Sequence, residues 1–223
     1  MYPADPMQPG PIYFMVPRRC GLFGVHCEGR NKQHNYIIDE GVSCGKGANV
    51  VISLLHHYFE TYGDGEDHCN LHCDNCSGQN KNNYMLWYLL WRVATGRHVS
   101  VSLNFMIAGH TKFAVDWGFG IMKRKFRKEK VNCLDDIVRI VSSSSTVNES
   151  VLVGNELGEV NVIMYDWSSF LSSAFNKLPN LLEHHHFHFK TESKGTVFIK
   201  KNWESPEEAV RLLKIGRSVP LGE

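Results

Sequence analysis

Asp74 is set up for chemistry by what precedes and follows it. It stands at the carboxyl end of the run 69–73, which reads as a short buried strand, and opens Asp74-Asn75-Cys76-Ser77-Gly78-Gln79-Asn80-Lys81-Asn82-Asn83. Side chains alternate along a strand, so Cys69, Leu71 and Cys73 face one way and Asn70, His72 and Asp74 the other. In α/β proteins, ligands gather beyond the carboxyl ends of strands. A carboxylate there reaches a metal ion while its backbone stays in the sheet. The amides, hydroxyl and ammonium that follow, with Gln79, Asn80 and Lys81 among them, suit hydrogen bonding to a sugar–phosphate backbone. The plainer alternative is an Asp that starts a turn or caps the next helix, as Asp-Asn commonly does.

Asp116 is a second candidate carboxylate. It follows a strand expected over 99–107 and sits about one turn into a helix expected over 112–127. Asp74 and Asp116 are predicted as catalytic, metal-binding residues sharing Mg²⁺ or Mn²⁺, as in two-metal phosphoryl transfer. A surface ion pair with Lys112 is the plainer role for Asp116. The stretch Lys123-Arg124-Lys125-Phe126-Arg127-Lys128-Glu129-Lys130 then supplies a phosphate-binding face. It reads equally as a solvated helix face or a nuclear-import signal. His110, Lys112, Lys123, Arg124, Lys125 and Arg127 join Gln79, Asn80 and Lys81 as the predicted nucleic-acid contacts.

Other groupings have plainer readings. His68, Cys69, His72, Cys73 and Cys76 have metal-like spacing. A closed zinc site needs four convergent ligands, and alternation sends His72 and Cys73 to opposite faces. Cys69 and Cys73 are therefore read as small core residues, and zinc is not expected. His184, His186 and His188 share one face of a strand, read as exposed and polar. Gly45-Lys46-Gly47 lacks the first glycine and the Ser/Thr of a phosphate-binding loop. Cys76-Ser77-Gly78 lacks a recognisable base for a cysteine nucleophile.

The elements that must position these residues follow from periodicity. Strands are expected over 11–16, 20–26 and 35–38, forming an antiparallel meander. A helix over 48–62 carries Val51, Leu54, Leu55, Tyr58 and Phe59 at helical spacing. Helices are also expected over 80–93, 134–141 and 167–175, and strands over 160–165 and 195–199. Ser205, Pro206 and Glu208 offer an N-cap, a first position and a capping-box carboxylate for a last helix over 205–213. The whole predicts an α/β protein with a mixed sheet, antiparallel strands extended by parallel ones, flanked by helices.

Composition narrows the class. The formal charge of +1 over 223 residues provides no global field, so any binding surface must be a local patch. A hydrophobic fraction of 43% supports a sizeable core. No run approaches the roughly 18 apolar residues of a membrane span, and 1–14 lacks a secretory pattern. Seven scattered cysteines, an odd number, suggest an intracellular, reduced protein.

The run 74–83, Gly109-His110-Thr111-Lys112-Phe113 and Asp116-Trp117-Gly118-Phe119-Gly120 are familiar as a set. So are Pro9-Gly10-Pro11-Ile12-Tyr13-Phe14 and Tyr36-Ile37-Ile38-Asp39-Glu40. Together they resemble an uncharacterised domain family of eukaryotic, transposon-derived reading frames, over at least 8–189. The resemblance implies a ribonuclease H-like core of the integrase or transposase type over 12–141, after an extended arm over 1–11. Residues 142–223 would form a C-terminal α+β extension. It implies metal-dependent phosphodiester cleavage or strand transfer on DNA as the ancestral activity. Asp74 would be the second acidic position and Asp116 the third. The family's first acidic strand lies upstream of the Pro-rich block and is expected to be missing here. Asp39 and Glu40 are its best internal stand-ins, and Asp5, flanked by prolines, a poor one. Loss of a bridging carboxylate would weaken catalysis severely. A non-enzymatic nucleic-acid-binding module and a zinc-stabilised interaction module are the alternatives.

Overall fold

A computed structural model describes residues 1–7, 10–42, 45–106, 113–155 and 157–221. Its elements are α1 (Gly10–Tyr13), β1 (Cys20–Cys27), β2 (Lys32–Asp39), α2 (Ala48–Tyr62), β3 (His68–Cys73), α3 (Asn83–Ala94) and β4 (Ser100–Phe105). Then follow α4 (Ala114–Phe126), α5 (Leu134–Ser142), β5 (Asn148–Leu152), α6 (Trp167–Ser172), β6 (His186–Lys190), β7 (Thr196–Lys200) and β8 (Glu208–Arg211). The protein is mixed α/β, with two mixed sheets flanked by helices. It divides into two compact units, Met1–Cys44 with Lys112–Ile163, and Gly45–Thr111 with Met164–Glu223. The stretch 142–223 is thus shared between them.

The first unit holds a sheet of order β1-β2-β5. β1 and β2 pair antiparallel, and β5 runs parallel to β2. Ile137, Ile140 and Val141 form the buried stripe of α5 and pack with Ile37, Met122 and Val131. α4 lies close to β1 and β2 at two approaches that glycines permit, Gly118 on α4 facing Gln33 of β2 and Gly24 on β1 facing Phe119 of α4. A Cβ on Gly118 would stand 2.6 Å from Gln33 Cδ, and one on Gly24 would stand 2.9 Å from Phe119 Cζ. Below α4, the side chains of Gln33, Asn35 and Asn148 are buried and bonded together. Gln33 Nε2 donates to Asn35 Oδ1 at 2.8 Å and Asn35 Nδ2 to Asn148 Oδ1 at 3.2 Å.

The second unit holds a sheet of order β3-β4-β6-β7-β8. β3 and β4 are parallel and joined through α3, while the remaining pairs are antiparallel. Burial of Met85 through Val93 makes α3 the hydrophobic centre, packed against α2 and α6. The Trp87 and Trp91 indoles donate to Asn176 O and Pro220 O, each at 2.8 Å, so their burial leaves no polar atom stranded. Arg92, also buried, donates to Glu60 Oε1 at 2.7 Å. Among the described residues no helix is long and apolar enough to cross a membrane.

Four expectations differ from the structure. Residues 11–16 are not a strand: Gly10–Tyr13 is a short helix, and Phe14 and Val16 project outward. The meander therefore has two members, and the third strand of that sheet is β5. β5, Asn-Glu-Ser-Val-Leu, has little β propensity, and its buried Asn148 is satisfied by the amide cluster. The strand expected over 160–165 is reduced to a single bridge, Gly154 to Val160. The helix expected over 205–213 is instead β8, paired with β7. Ser205 donates its N–H and hydroxyl to Asn202 Oδ1 at 2.8 and 2.7 Å, closing a turn instead of starting a helix.

Candidate active site

Asp74 stands where alternation puts it, exposed and directly after β3. His68, Asn70 and His72 are exposed and Cys69, Leu71 and Cys73 point inward, so His72 and Cys73 do face opposite ways. Burial pushes the Cys73 thiol up to about 12, which keeps it protonated. Asp74 Oδ1 accepts from the Cys76 N–H at 3.0 Å and from Asn80 Nδ2 at 2.7 Å. Oδ2 has no partner among the described residues. Half of the carboxylate thus builds a turn, and the other half stays open at the carboxyl end of a parallel strand.

The polar run after Asp74 is mostly occupied with its own loop. Asn75 Nδ2 donates to Met106 O, and Asn75 Oδ1 accepts from Lys81 Nζ at 3.1 Å. Cys76 O accepts the N–H groups of Gln79, Asn80 and Lys81. Asn82 Nδ2 donates to Ser77 O and Gln79 O, and its Oδ1 caps α3 through the Met85 N–H at 3.0 Å. Asn83 Oδ1 accepts from the Leu178 N–H at 2.7 Å. These groups satisfy a tight loop and the start of a buried helix, so the plain-turn alternative accounts for most of them.

Lys81 departs most from its predicted role as a phosphate contact. It is 3% exposed, and its ammonium binds Leu182 O at 3.0 Å as well as Asn75, 5.2 Å from the centre of the Phe105 ring. Burial lowers its pKa. With Ser77, Asn82, Tyr84, Lys177 and Leu182 it lines a cleft of about 230 Å³. Gln79 is half-buried and donates to Lys46 O at 3.5 Å, and Asn80 is committed to Asp74.

Asp116 belongs to the first unit, Asp74 to the second. Asp116 is exposed in the first turn of α4, and its Oδ2 accepts the Phe113 N–H at 2.9 Å. That bond satisfies a helix N-terminal donor, and Oδ1 has no partner among the described residues. Predicted contacts His110 and Lys112 lie outside the described residues. Eight residues separate Asp116 from Arg124, about 12 Å of helix at 1.5 Å per residue. Lys123, Arg124, Arg127 and Lys128 are exposed, at i, i+3 and i+4 spacings that share one face. None of the four has an ion pair among the described residues. Lys125 differs: it bonds Ser143 O and Oγ, each at 2.7 Å, and lies 3.7 Å from Glu129.

The internal stand-ins for a first acidic residue are taken by structure. Asp39 is fully buried and accepts from Arg18 Nε at 2.9 Å, the Tyr2 hydroxyl at 2.6 Å and the Gly41 N–H at 2.9 Å. The Arg18 guanidinium, helped by Tyr2 and the Gly41 N–H, holds its pKa near 2. Glu40 accepts the Arg19 N–H at 3.0 Å. Among the described residues no three His, Cys, Asp or Glu side chains converge as a metal-binding group.

The family model described as Domain of unknown function (DUF7869) matches residues 19–206. The chain belongs to this family. No curated protein and no solved structure matches the chain. The DUF7869 match takes in β1 through β7, Asp74 with its loop, Asp116 and the α4 cations. Within this DUF7869 chain, Asp39 was missed as a clamp. Its signal was present in the sequence, since a carboxylate that ends an apolar strand run needs a partner once buried.

Proposed function

We propose that this DUF7869 chain is a transposase-derived, ribonuclease H-like domain whose ancestral chemistry is metal-dependent phosphodiester cleavage or strand transfer on DNA. The observation that carries the reading is the open half of Asp74. It is an exposed carboxylate oxygen just beyond the carboxyl end of β3, in a parallel β3-α3-β4 unit. Mg²⁺ is commonly held by one or two carboxylates together with waters and substrate phosphate oxygens. Asp74 Oδ2 fits as one such ligand, with waters and substrate oxygens as the others. A divalent cation held there supplies charge neutralisation at a phosphodiester. The chain's own share is to hold Asp74 still: Oδ1 is fixed by Cys76 and Asn80, and Asn75 ties the loop to the end of β4.

A specific observation favours a second reading, a DNA-binding module without catalysis. The four exposed cations at the end of α4 and in the turn after it can meet phosphates with no carboxylate involved. One assay separates the two: nicking of supercoiled DNA with Mn²⁺ or Mg²⁺, run beside DNA binding at several salt concentrations. The enzymatic reading expects metal-dependent nicking that Asp74→Asn abolishes while binding is kept. Nicking that persists in Asp74→Ala sinks it. Binding without nicking, weakened when Lys123, Arg124, Arg127 and Lys128 are replaced by Gln, supports the module instead.

A further inference from the structure

The second unit's sheet carries a polar and aromatic face that the Asp74 reading does not use. Its inner face is apolar: Val101, Leu103, Phe105, Phe187, Phe189, Val197 and Ile199 are buried. The alternate residues of β3, β4, β6 and β7 point the other way and are exposed or half-buried. Register aligns them into rows. His72 lies beside Asn104, which lies beside His186, which lies beside Lys200. Asn70, Ser102, His188 and Phe198 form the next row, with His68, Ser100 and Lys190 beyond. No position on this face of the four strands is a carboxylate. Glu192 and Glu207, which act on His188, lie outside these strands.

Rings and cations are paired across the face. Trp203 is 78% exposed, with the His186 ring 5.8 Å away and Lys200 Nζ 5.4 Å from its centre. Lys190 Nζ stands 4.6 Å over the Phe198 ring. His186 Nδ1 is fixed on Asn104 Oδ1 at 2.8 Å, and His68 Nδ1 on Ser100 Oγ at 2.8 Å. The row from His72 to Lys200 spans about 14 Å at the usual strand spacing, room for two or three stacked nucleotides.

We infer that this face is a platform for single-stranded DNA, with Trp203 and Phe198 stacking on bases and Lys190 and Lys200 meeting phosphates. Stacking needs exposed base faces, which a duplex hides, so the occupant is a single strand. Flat rings, cations beside them and amide or hydroxyl groups between them complement bases, phosphates and base edges in turn. Only the choice of DNA rests on the function proposed above. The face shares no residue with the Asp74 loop or the α4 cations.

The test is fluorescence anisotropy of the full chain with a labelled 20-nucleotide oligo-dT, against a duplex and an oligo-U of equal length. Trp203→Ala and Phe198→Ala should each weaken oligo-dT binding by roughly 5- to 150-fold, the range for losing one stacked base. Trp203→Phe should recover most of the loss. Duplex affinity should change less than 2-fold in all three. A melting temperature equal to wild type in Trp203→Ala, where the ring is exposed, excludes misfolding. Unchanged oligo-dT affinity in Trp203→Ala and Phe198→Ala overturns the proposal, as does an equal loss on duplex or a preference for oligo-U. Anisotropy without divalent metal reads the platform and metal-dependent nicking reads Asp74, so failure of the nuclease reading and failure of this one give different results.

Discussion

Replacing Lys81 tests whether the central motif is a latch or a phosphate contact. In the folded chain its ammonium gives two hydrogen bonds, to Asn75 Oδ1 at 3.1 Å and Leu182 O at 3.0 Å. Hydrogen bonds to a charged group contribute about 1.5–3 kcal/mol each, and stranding a buried acceptor costs about 1–3 kcal/mol. Relief from burying an ammonium offsets part of this. Lys81→Ala is therefore expected to destabilise the second unit by about 3 kcal/mol, a melting shift of roughly 10 °C for a unit of this size. Lys81→Met keeps the stem beside Phe105 and should lose about half as much. Tryptophan fluorescence during thermal or urea unfolding reads the change, because Trp87, Trp91 and Trp167 are buried in that unit. An unchanged melting temperature in Lys81→Ala, together with weaker DNA binding, would refute the latch and restore the phosphate role.

Two further outcomes follow from the first unit. Asp39 is held from its ordinary 3.8 down to about 2 by Arg18 and Tyr2, so its carboxylate contributes stability above pH 3.8 that is lost as pH falls through 2. The amount is about 2 kcal/mol, and Asp39→Asn should flatten the stability profile between pH 4 and pH 2 in an acid-unfolding series followed by circular dichroism. A profile as steep in Asp39→Asn as in wild type would count against the clamp. Gly118→Ala forces a Cβ against the buried Gln33 side chain and should destabilise by about 1–3 kcal/mol, although alanine favours helix. A higher melting temperature in that variant would show that α4 sits farther from Gln33 on β2 than described.

Several parts of the fold were legible before any coordinates. α2 spans 48–62 as its periodicity predicts, and β3 ends just before Asp74. Both are read from one-sided burial, a property that leaves its period in the local sequence. The strand–helix–strand order of β3, α3 and β4 was legible as well, although α3 is buried on every side. β8 and the short helix at Gly10–Tyr13 were not. Ser205 and Glu208 satisfy the local rule for a helix start, yet the backbone of 208–211 finds its partners on β7. Such pairing depends on residues distant in sequence, and it overrides a preference of about 1 kcal/mol. β5 was hidden because its burial is polar: Asn148 is stable inside only where Asn35, Gly118 and Ser144 meet it.

The site divides along the same line. The sequence alone determined that a carboxylate follows β3, that a polar loop follows the carboxylate, and that cations gather at the end of α4. Tertiary structure decided what those groups bond to. An amide or ammonium uses the same atoms and distances for a backbone carbonyl as for a phosphate, so composition cannot separate the two. Met106, Leu178 and Leu182 approach the Asp74 loop only through folding, and they take up Asn75, Asn83 and Lys81. Among the described residues, what remains without a partner is one oxygen of Asp74, because nothing in the loop 74–83 is positioned to reach it.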